Sequence, residues 1–327
     1  MPFGRGGGGS PQPVITHPHV KVNLGLSVLR RREDGYHDIE TLFVPYHGLS
    51  DTLEVIVGDD WSATSASLFA RYAPSEVVQG IAPDGSLMMT IARRGGVDWD
   101  PLKDLTSRAY ATLAADYKLP PMKIFLEKTA PVGAGLGGGS SDAAFALRMI
   151  SELAGLGLSD AQLSVYAARL GSDCAFFVYD RPMLGEGRGE VLTPFDLNLS
   201  GYDLQVIVPE GISVSTADAY KGIVPREAIP GVSGPGGCSL REAFPGRVLS
   251  CFPQGAAPWP PIPLREALSR PVAEWRECLV NDFEATVFAA HPELAAIKQR
   301  LYDQGAVYAA MSGSGSALFG LWPTAKK

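Results

Sequence analysis

Cysteine is scarce and scattered. Cys174, Cys238, Cys251 and Cys278 are all that 327 residues contain. No two form a C-x-x-C pair and none has histidines at zinc-finger distances, so a metal cluster is not expected and no residue is assigned as a metal ligand. Reduced thiols in a cytoplasmic protein are the simplest reading. No window reaches the ~20 apolar residues of a membrane span, and the N-terminus lacks the apolar core of a signal peptide. Basic residues are the minority, 28 Lys and Arg against 35 Asp and Glu, for a formal charge of −7. That balance argues against nucleic acid or a membrane surface as partner, whereas a small anionic ligand needs only a local positive site. With 46% hydrophobic and 19% charged residues the composition is that of a globular protein, long enough for one large or two modest domains. Residues 1–11, which include Gly4-Arg5-Gly6-Gly7-Gly8-Gly9-Ser10, read as a flexible tail outside the fold.

Hydrophobic periodicity organises the rest. Val20, Val22, Leu24, Leu26 and Val28 alternate with Lys21, Asn23, Gly25 and Ser27, which predicts a strand with one buried face. A cation and an amide share the other face, an unusual pair if that face meets only water. After a turn at Glu33-Asp34-Gly35, residues 42–44 predict an antiparallel return, and residues 52–57 a third strand. Helices are expected over 102–117, 142–154 (ended by Gly155) and 160–170, and strands over 123–127 and 204–208, the latter buried. Between about 226 and 262 the chain turns Pro- and Gly-rich and loses periodicity, as in an insertion or long loop. It contains Ser239-Leu240-Arg241-Glu242-Ala243, echoed at Pro263-Leu264-Arg265-Glu266-Ala267, but one echo does not make a repeat. Near the C-terminus, Asn281 and Glu284 resemble a helix-capping pair, and Leu294, Ile297 and Leu301 form a stripe that Gly305 ends. Two strands, 307–311 and 317–321, flank the turn Ser312-Gly313-Ser314-Gly315-Ser316.

The strongest chemical signal is Pro131-Val132-Gly133-Ala134-Gly135-Leu136-Gly137-Gly138-Gly139-Ser140-Ser141-Asp142, between a predicted strand and a predicted helix. Five glycines in seven positions let backbone amides approach an anion, and the helix N-terminus adds about half a positive charge. A polyphosphate suits such a place. Ser140 and Ser141 either cap the helix or bind phosphate oxygen and Mg²⁺. No Gly-Lys-Ser/Thr follows, so the loop is not a Walker A motif, and it does not match the dinucleotide fingerprint G-x-G-x-x-G with a distal acidic residue. Charge neutralisation must come from elsewhere in the chain.

This loop resembles the second motif of the GHMP kinases, and the resemblance runs from about Val14 to Trp322. Lys21-Val22-Asn23-Leu24, Asp34-Gly35-Tyr36-His37, Leu170-Gly171-Ser172-Asp173, Gly187-Arg188-Gly189-Glu190, Asn281-Asp282-Phe283-Glu284 and Met311-Ser312-Gly313-Ser314-Gly315-Ser316 fit in order. The resemblance implies an α+β, two-domain fold. Its N-terminal half (12–182) is ribosomal protein S5 domain 2-like, and its C-terminal half (183–327) is ferredoxin-like and carries the insertion. It implies phosphoryl transfer from ATP with Mg²⁺ to the alcohol of a small molecule, by a monomer or weak homodimer. Within the family the fit is to members whose acceptor is a cytidine diphosphate-linked methylerythritol. Other GHMP alcohols, of homoserine or mevalonate type, and a catalytically silent nucleotide-binding homologue are the alternatives.

The resemblance also assigns roles. Asp173 is the base and Lys21 the cation beside it; on its own, Asp173 reads equally as a solvated turn carboxylate. Pro131, Gly133, Ala134, Gly135, Leu136, Gly137, Gly138, Gly139, Ser140 and Ser141 hold the nucleotide, with Lys128 just before the loop. Tyr36 stacks on cytosine, His37 hydrogen-bonds to it, and Tyr220 supplies a second stacking face. Asn23 and Thr216 contact the diphosphate or methylerythritol. The chain departs from the family pattern at Lys103-Asp104-Leu105, where an Asn usually precedes the Leu, and at His19, where a small residue is usual.

Overall fold

The structure, a computed structural model, describes residues 14–58, 62, 64–228 and 262–324. The Gly-rich tail, most of the expected insertion with its Ser239-Leu240-Arg241-Glu242-Ala243 segment, Cys238 and Cys251 lie outside the described residues. The chain divides into two compact units that interleave in sequence. One takes Met1–His19, Leu49–Ala130 and Gly138–Tyr179, the other Val20–Gly48, Pro131–Gly137 and Asp180–Lys327.

The first unit is built on a five-stranded sheet of β1 (Val14–Thr16), β4 (Thr52–Val57), β5 (Val77–Ile81), β6 (Leu87–Arg93) and β7 (Met122–Lys128), in the order β1-β4-β7-β6-β5. Only β6 and β7 are parallel, with Ile91 opposite Leu126; the other pairs are antiparallel. Leu53, Val55, Met89, Ile91, Ile124 and Leu126 are fully buried, as expected of apolar strands covered by helices. The helices are α1 (Ser65–Arg71), α2 (Leu105–Ala114), α3 (Gly138–Leu153), α4 (Asp160–Leu170) and α5 (Cys174–Tyr179). Ser159 and Gln162 form a capping box on α4. The helix expected over 102–117 is instead a short 3₁₀ turn at Pro101–Lys103 followed by α2. Asp104 breaks the run because its carboxylate accepts Thr106 N at 2.9 Å and so caps α2. α3 starts four residues earlier than expected: Gly138 and Gly139 enter the helix, so Ser140 and Ser141 lie inside its first turn rather than at a cap.

The second unit holds a four-stranded sheet, β2 (His19–Arg31), β3 (His37–Ser50), β8 (Met183–Glu186) and β9 (Val191–Pro194), in sequence order. Its three-stranded sheet runs β10-β12-β11, from β10 (Tyr202–Ile207), β11 (Tyr308–Met311) and β12 (Leu318–Pro323). The glycine-turn pair is antiparallel as expected, with Met311 opposite Leu318. β10 is an outer strand with alternate residues exposed, rather than a buried one. Its helices include α6 (Thr216–Lys221), α7 (Leu264–Ser269), α8 (Trp275–Cys278), α9 (Phe283–Ala290) and α10 (Pro292–Asp303). Leu26, Val28, Ile39, Phe283, Val287, Leu294, Leu301 and Met311 share one core.

The one-face expectation for β2 does not hold. Lys21, Asn23 and Ser27 are as buried as the valines between them. Burial on both faces is sustained because the polar face meets hydrogen-bonding groups instead of water. Asn281 caps α9 as expected, its Oδ1 accepting Phe283 N at 3.0 Å, but the Glu284 carboxylate is engaged elsewhere. Asn281 Nδ2 donates to Met311 O (2.7 Å) and Gly313 O (2.8 Å), and Glu284 Oε1 accepts Met311 N at 2.8 Å, so both hold the serine-glycine turn. Between them, Asp282 accepts Val28 N at 2.7 Å and pairs bidentately with Nε and Nη2 of Arg226.

Burial pushes the Asp282 carboxyl up to about 6, against the pull of Arg226. From about pH 4 to 6 the unfolded chain gives up this proton while the folded chain keeps it. The stability it contributes is therefore present in acid and lost as pH rises through 6. Asp282→Asn should remove that dependence. In urea unfolding at pH 4 and pH 7, wild type should lose on the order of 2–3 kcal/mol relative to the variant across the interval.

Candidate active site

The proposed nucleotide and acceptor residues gather in two groups, one in each unit. In the second unit, Lys21 projects from β2 and its ammonium donates to Asn23 Oδ1 (2.6 Å) and Gly135 O (2.9 Å). Asn23 Nδ2 donates to Thr41 Oγ1 at 3.0 Å, and Asn23 N to Ser312 Oγ at 3.3 Å. The Ser312 hydroxyl donates to Gly135 O at 3.1 Å. Lys21 N donates to Leu136 O at 3.0 Å, and Ala317 N to Ala134 O at 3.1 Å. Residues 134–136 thus thread between β2 and the turn after β11. Gly135 makes this possible: its φ is +77°, and a Cβ there would lie 2.2 Å from Ser312 O. Thr216, at the start of α6, places its hydroxyl 3.1 Å from that of Ser314 in the same turn.

A ring cluster lies in the same unit. His37 and Tyr220 stack at 4.6 Å with planes 14° apart, and Phe283 meets Tyr220 edge-on at 4.8 Å. His37 thus covers one face of Tyr220, so a base stacking on Tyr220 would meet its other face. Partial burial, with Arg31 nearby, lowers the His37 imidazole below its ordinary range and keeps it neutral at pH 7. Tyr36 is 58% exposed.

In the first unit the other half of the glycine loop opens α3. Lys128 lies beneath it, its ammonium 2.6 Å from Asp142 Oδ2 and also bonded to Asp51 Oδ2. Asp51 takes three donors in all, since its Oδ1 accepts Thr129 N (2.6 Å) and Ala130 N (2.8 Å). Burial disfavours the charge on Lys128, but Asp142 and Asp51 outweigh it and the pKa is raised. Asp142 is raised well above the carboxylate range by burial, and its Oδ1 has no hydrogen-bond partner among the described residues. Lys128 is thus buried and engaged with two carboxylates at the loop's exit. Asp51 was not anticipated: it is a lone acid at a strand start, 77 residues from its partner.

Ser141 Oγ is fully buried and also lacks a partner among the described residues, so an acceptor or cation brought to the first turn of α3 would satisfy it. Burial pushes the Cys174 thiol up to about 12. Asp173 lies half-exposed in the Gly171–Cys174 turn, where Cys174 N donates to Gly171 O at 3.2 Å. Asp104, the departure from the family pattern, has its carboxylate occupied by Thr106 N and by Trp99 Nε1 at 3.0 Å.

Comparison with known proteins matches residues 104–181 to the family model described as GHMP kinases N terminal domain, and residues 264–327 to that described as GHMP kinases C terminal. The 4-diphosphocytidyl-2-C-methyl-D-erythritol kinase of Bacteroides fragilis is 38% identical over 314 residues, which cover 96% of this chain and 94% of the relative. The enzyme of the same name from Bacteroides thetaiotaomicron is 38% identical over 310 residues, 94% of this chain and 92% of its own. A crystal structure of 4-(cytidine 5'-diphospho)-2C-methyl-D-erythritol kinase matches with a TM-score of 0.62 and 30% identity, over 94% of this chain and 90% of that one.

The unequal partners of Lys128 predict unequal substitutions. Asp51→Ala strips three donors of their acceptor and should cost about 3–5 kcal/mol, the usual penalty for breaking a buried ion pair. Asp142→Asn keeps the shape and removes an incompletely satisfied charge, so it should change stability by less than about 1 kcal/mol. Denaturant unfolding of the two variants at pH 7 measures the difference.

Proposed function

The chain belongs to the GHMP kinases, and on that premise we propose that it transfers the γ-phosphoryl group of ATP to the 2-hydroxyl of 4-diphosphocytidyl-2-C-methyl-D-erythritol, a step of non-mevalonate isoprenoid precursor synthesis. The observation that carries this reading is the 38% identity to enzymes of that name over nearly the whole chain. The stacked His37 and Tyr220 rings and the exposed Tyr36 support it, since acceptors of homoserine or mevalonate type have no base to recognise.

Phosphoryl transfer is mostly positioning and charge stabilisation. In this reading, the amides of Gly133 to Gly139 and the first turn of α3 receive the ATP phosphates, with Pro131, Ala134 and Leu136 shaping the loop. Ser140 and Ser141 stand at that turn, and the unpartnered Ser141 hydroxyl would help hold Mg²⁺. The ion supplies neutralisation of phosphate charge. Lys128 acts indirectly, through Asp142, by holding the turn in place. Asp173 takes the proton of the acceptor hydroxyl, and Lys21 stabilises the alkoxide as it develops. Asn23 and Thr216 contact the diphosphate or methylerythritol. Tyr36 stacks on cytosine, His37 accepts or donates a hydrogen bond as a neutral imidazole, and Tyr220 orients the His37 ring against which it lies.

No described helix is long and apolar enough to cross a membrane. We place the activity in the cytoplasm, with a small molecule rather than nucleic acid as partner and a monomer or weak homodimer as the working form.

A coupled ADP-release assay tests the reading. Turnover should require the cytidine-linked acceptor, and Asp173→Asn should lower kcat by about 10²–10⁴-fold, the usual worth of a general base, while ATP still raises the melting temperature. Turnover with homoserine or mevalonate but not with the cytidine-linked acceptor would overturn the substrate assignment. Because burial and Arg31 disfavour protonation of His37, the acid-side fall of kcat/KM for the acceptor should begin at lower pH than for an unperturbed histidine, and Tyr220→Ala, which unburies the ring, should move it toward higher pH.

A further inference from the structure

We propose that Arg188 is a positioning residue for the acceptor: its guanidinium backs one face of the Tyr36 ring, so that the ring presents its other face to the cytosine. The proposal rests on the reading of Tyr36 as the base-stacking residue. Arg188 sits on the hairpin tip between β8 and β9, where Glu186 pairs with Val191. The tip is tightly built. Gly187 has a φ of +69°, and a Cβ there would press to 3.1 Å from the Glu190 carboxylate. Glu190 Oε2 in turn accepts Arg188 N at 2.6 Å. Gly187 O accepts Ile39 N at 2.6 Å, which fastens the tip to β3 two residues beyond His37.

From this mount the Arg188 guanidinium carbon stands 5.1 Å from the centroid of Tyr36, within cation–π range. Its other attachments are weak. Nε is buried, lies 3.6 Å from Glu190 Oε1 and makes no hydrogen bond among the described residues. The cation is therefore directed to the ring more than to a carboxylate. On the other side Asp34 Oδ1 accepts Tyr36 N at 3.1 Å, so the backbone of Tyr36 is held while its side chain remains 58% exposed. An exposed ring must be ordered before a base can stack on it, and that ordering weakens binding. A guanidinium already layered against the ring supplies the order in advance, and the planar fork suits this better than an ammonium.

The experiment uses the full chain, with ATP and 4-diphosphocytidyl-2-C-methyl-D-erythritol varied independently. Arg188→Met should raise the acceptor KM about fivefold and leave the ATP KM and kcat at wild-type values, and Arg188→Lys should recover part of the loss. Tyr36→Ala should raise the acceptor KM further. Arg188→Met added to Tyr36→Ala should then change nothing more, because the arginine acts through the ring. An unchanged acceptor KM in Arg188→Met, an equal rise in the ATP KM, or a full additional loss in the Tyr36→Ala background would overturn the role of Arg188 and leave the base-stacking reading standing. An unchanged acceptor KM in Tyr36→Ala would overturn that reading, and this proposal with it.

Discussion

The carbonyl of Gly135 is the point on which one half of the site depends. It accepts both the Lys21 ammonium and the Ser312 hydroxyl, and so joins a strand, a glycine loop and a serine-glycine turn that are more than a hundred residues apart in sequence. Only a residue without Cβ fits there. The polar face of β2 is dry because these groups satisfy one another. If the carbonyl moved, Lys21 would be a buried cation short of a partner, which costs far more than a surface ion pair is worth. The same constraint accounts for Asn281 and Glu284, which hold the turn from behind.

The loop's other half depends on charge arithmetic. Lys128 serves two carboxylates of unequal standing, Asp51 with three donors and Asp142 with one. The cluster carries more acid than base beneath a turn proposed to receive phosphates. Burial, by raising Asp142 toward its neutral form, reduces that excess. The cation therefore organises the anion site from below, while the charge that faces the phosphates is left to backbone amides and to the proposed ion.

Much of this was legible beforehand, and for local reasons. The alternation from Val20 to Val28 revealed the strand and the odd cation and amide on its second face, and glycine density marked the loop. Both ends of α4, the C-terminal end of α3, the turn at 312–316 and the order of motifs were equally readable. What was not legible shares a cause. Asn281 does cap α9, but spacing does not reveal that its Nδ2 and the Glu284 carboxylate also hold Met311 and Gly313, some thirty residues away. That α6 lays one face of Tyr220 on His37 is likewise invisible in the sequence. Asp51 gave no local signal at all.

The division follows the range of the forces. The sequence by itself determined the elements, the anion-binding loop and, through the order of its motifs, the family, because periodicity, glycine φ and helix ends are settled within a few residues. Only the tertiary structure decided which polar groups are spent on the fold and which remain for a ligand. Lys128, Asn281 and Glu284 are committed to the fold, while the Ser141 hydroxyl has no partner among the described residues and the Tyr36 ring is exposed. Burial and pairing depend on residues brought together from distant parts of the chain, and no local pattern records them.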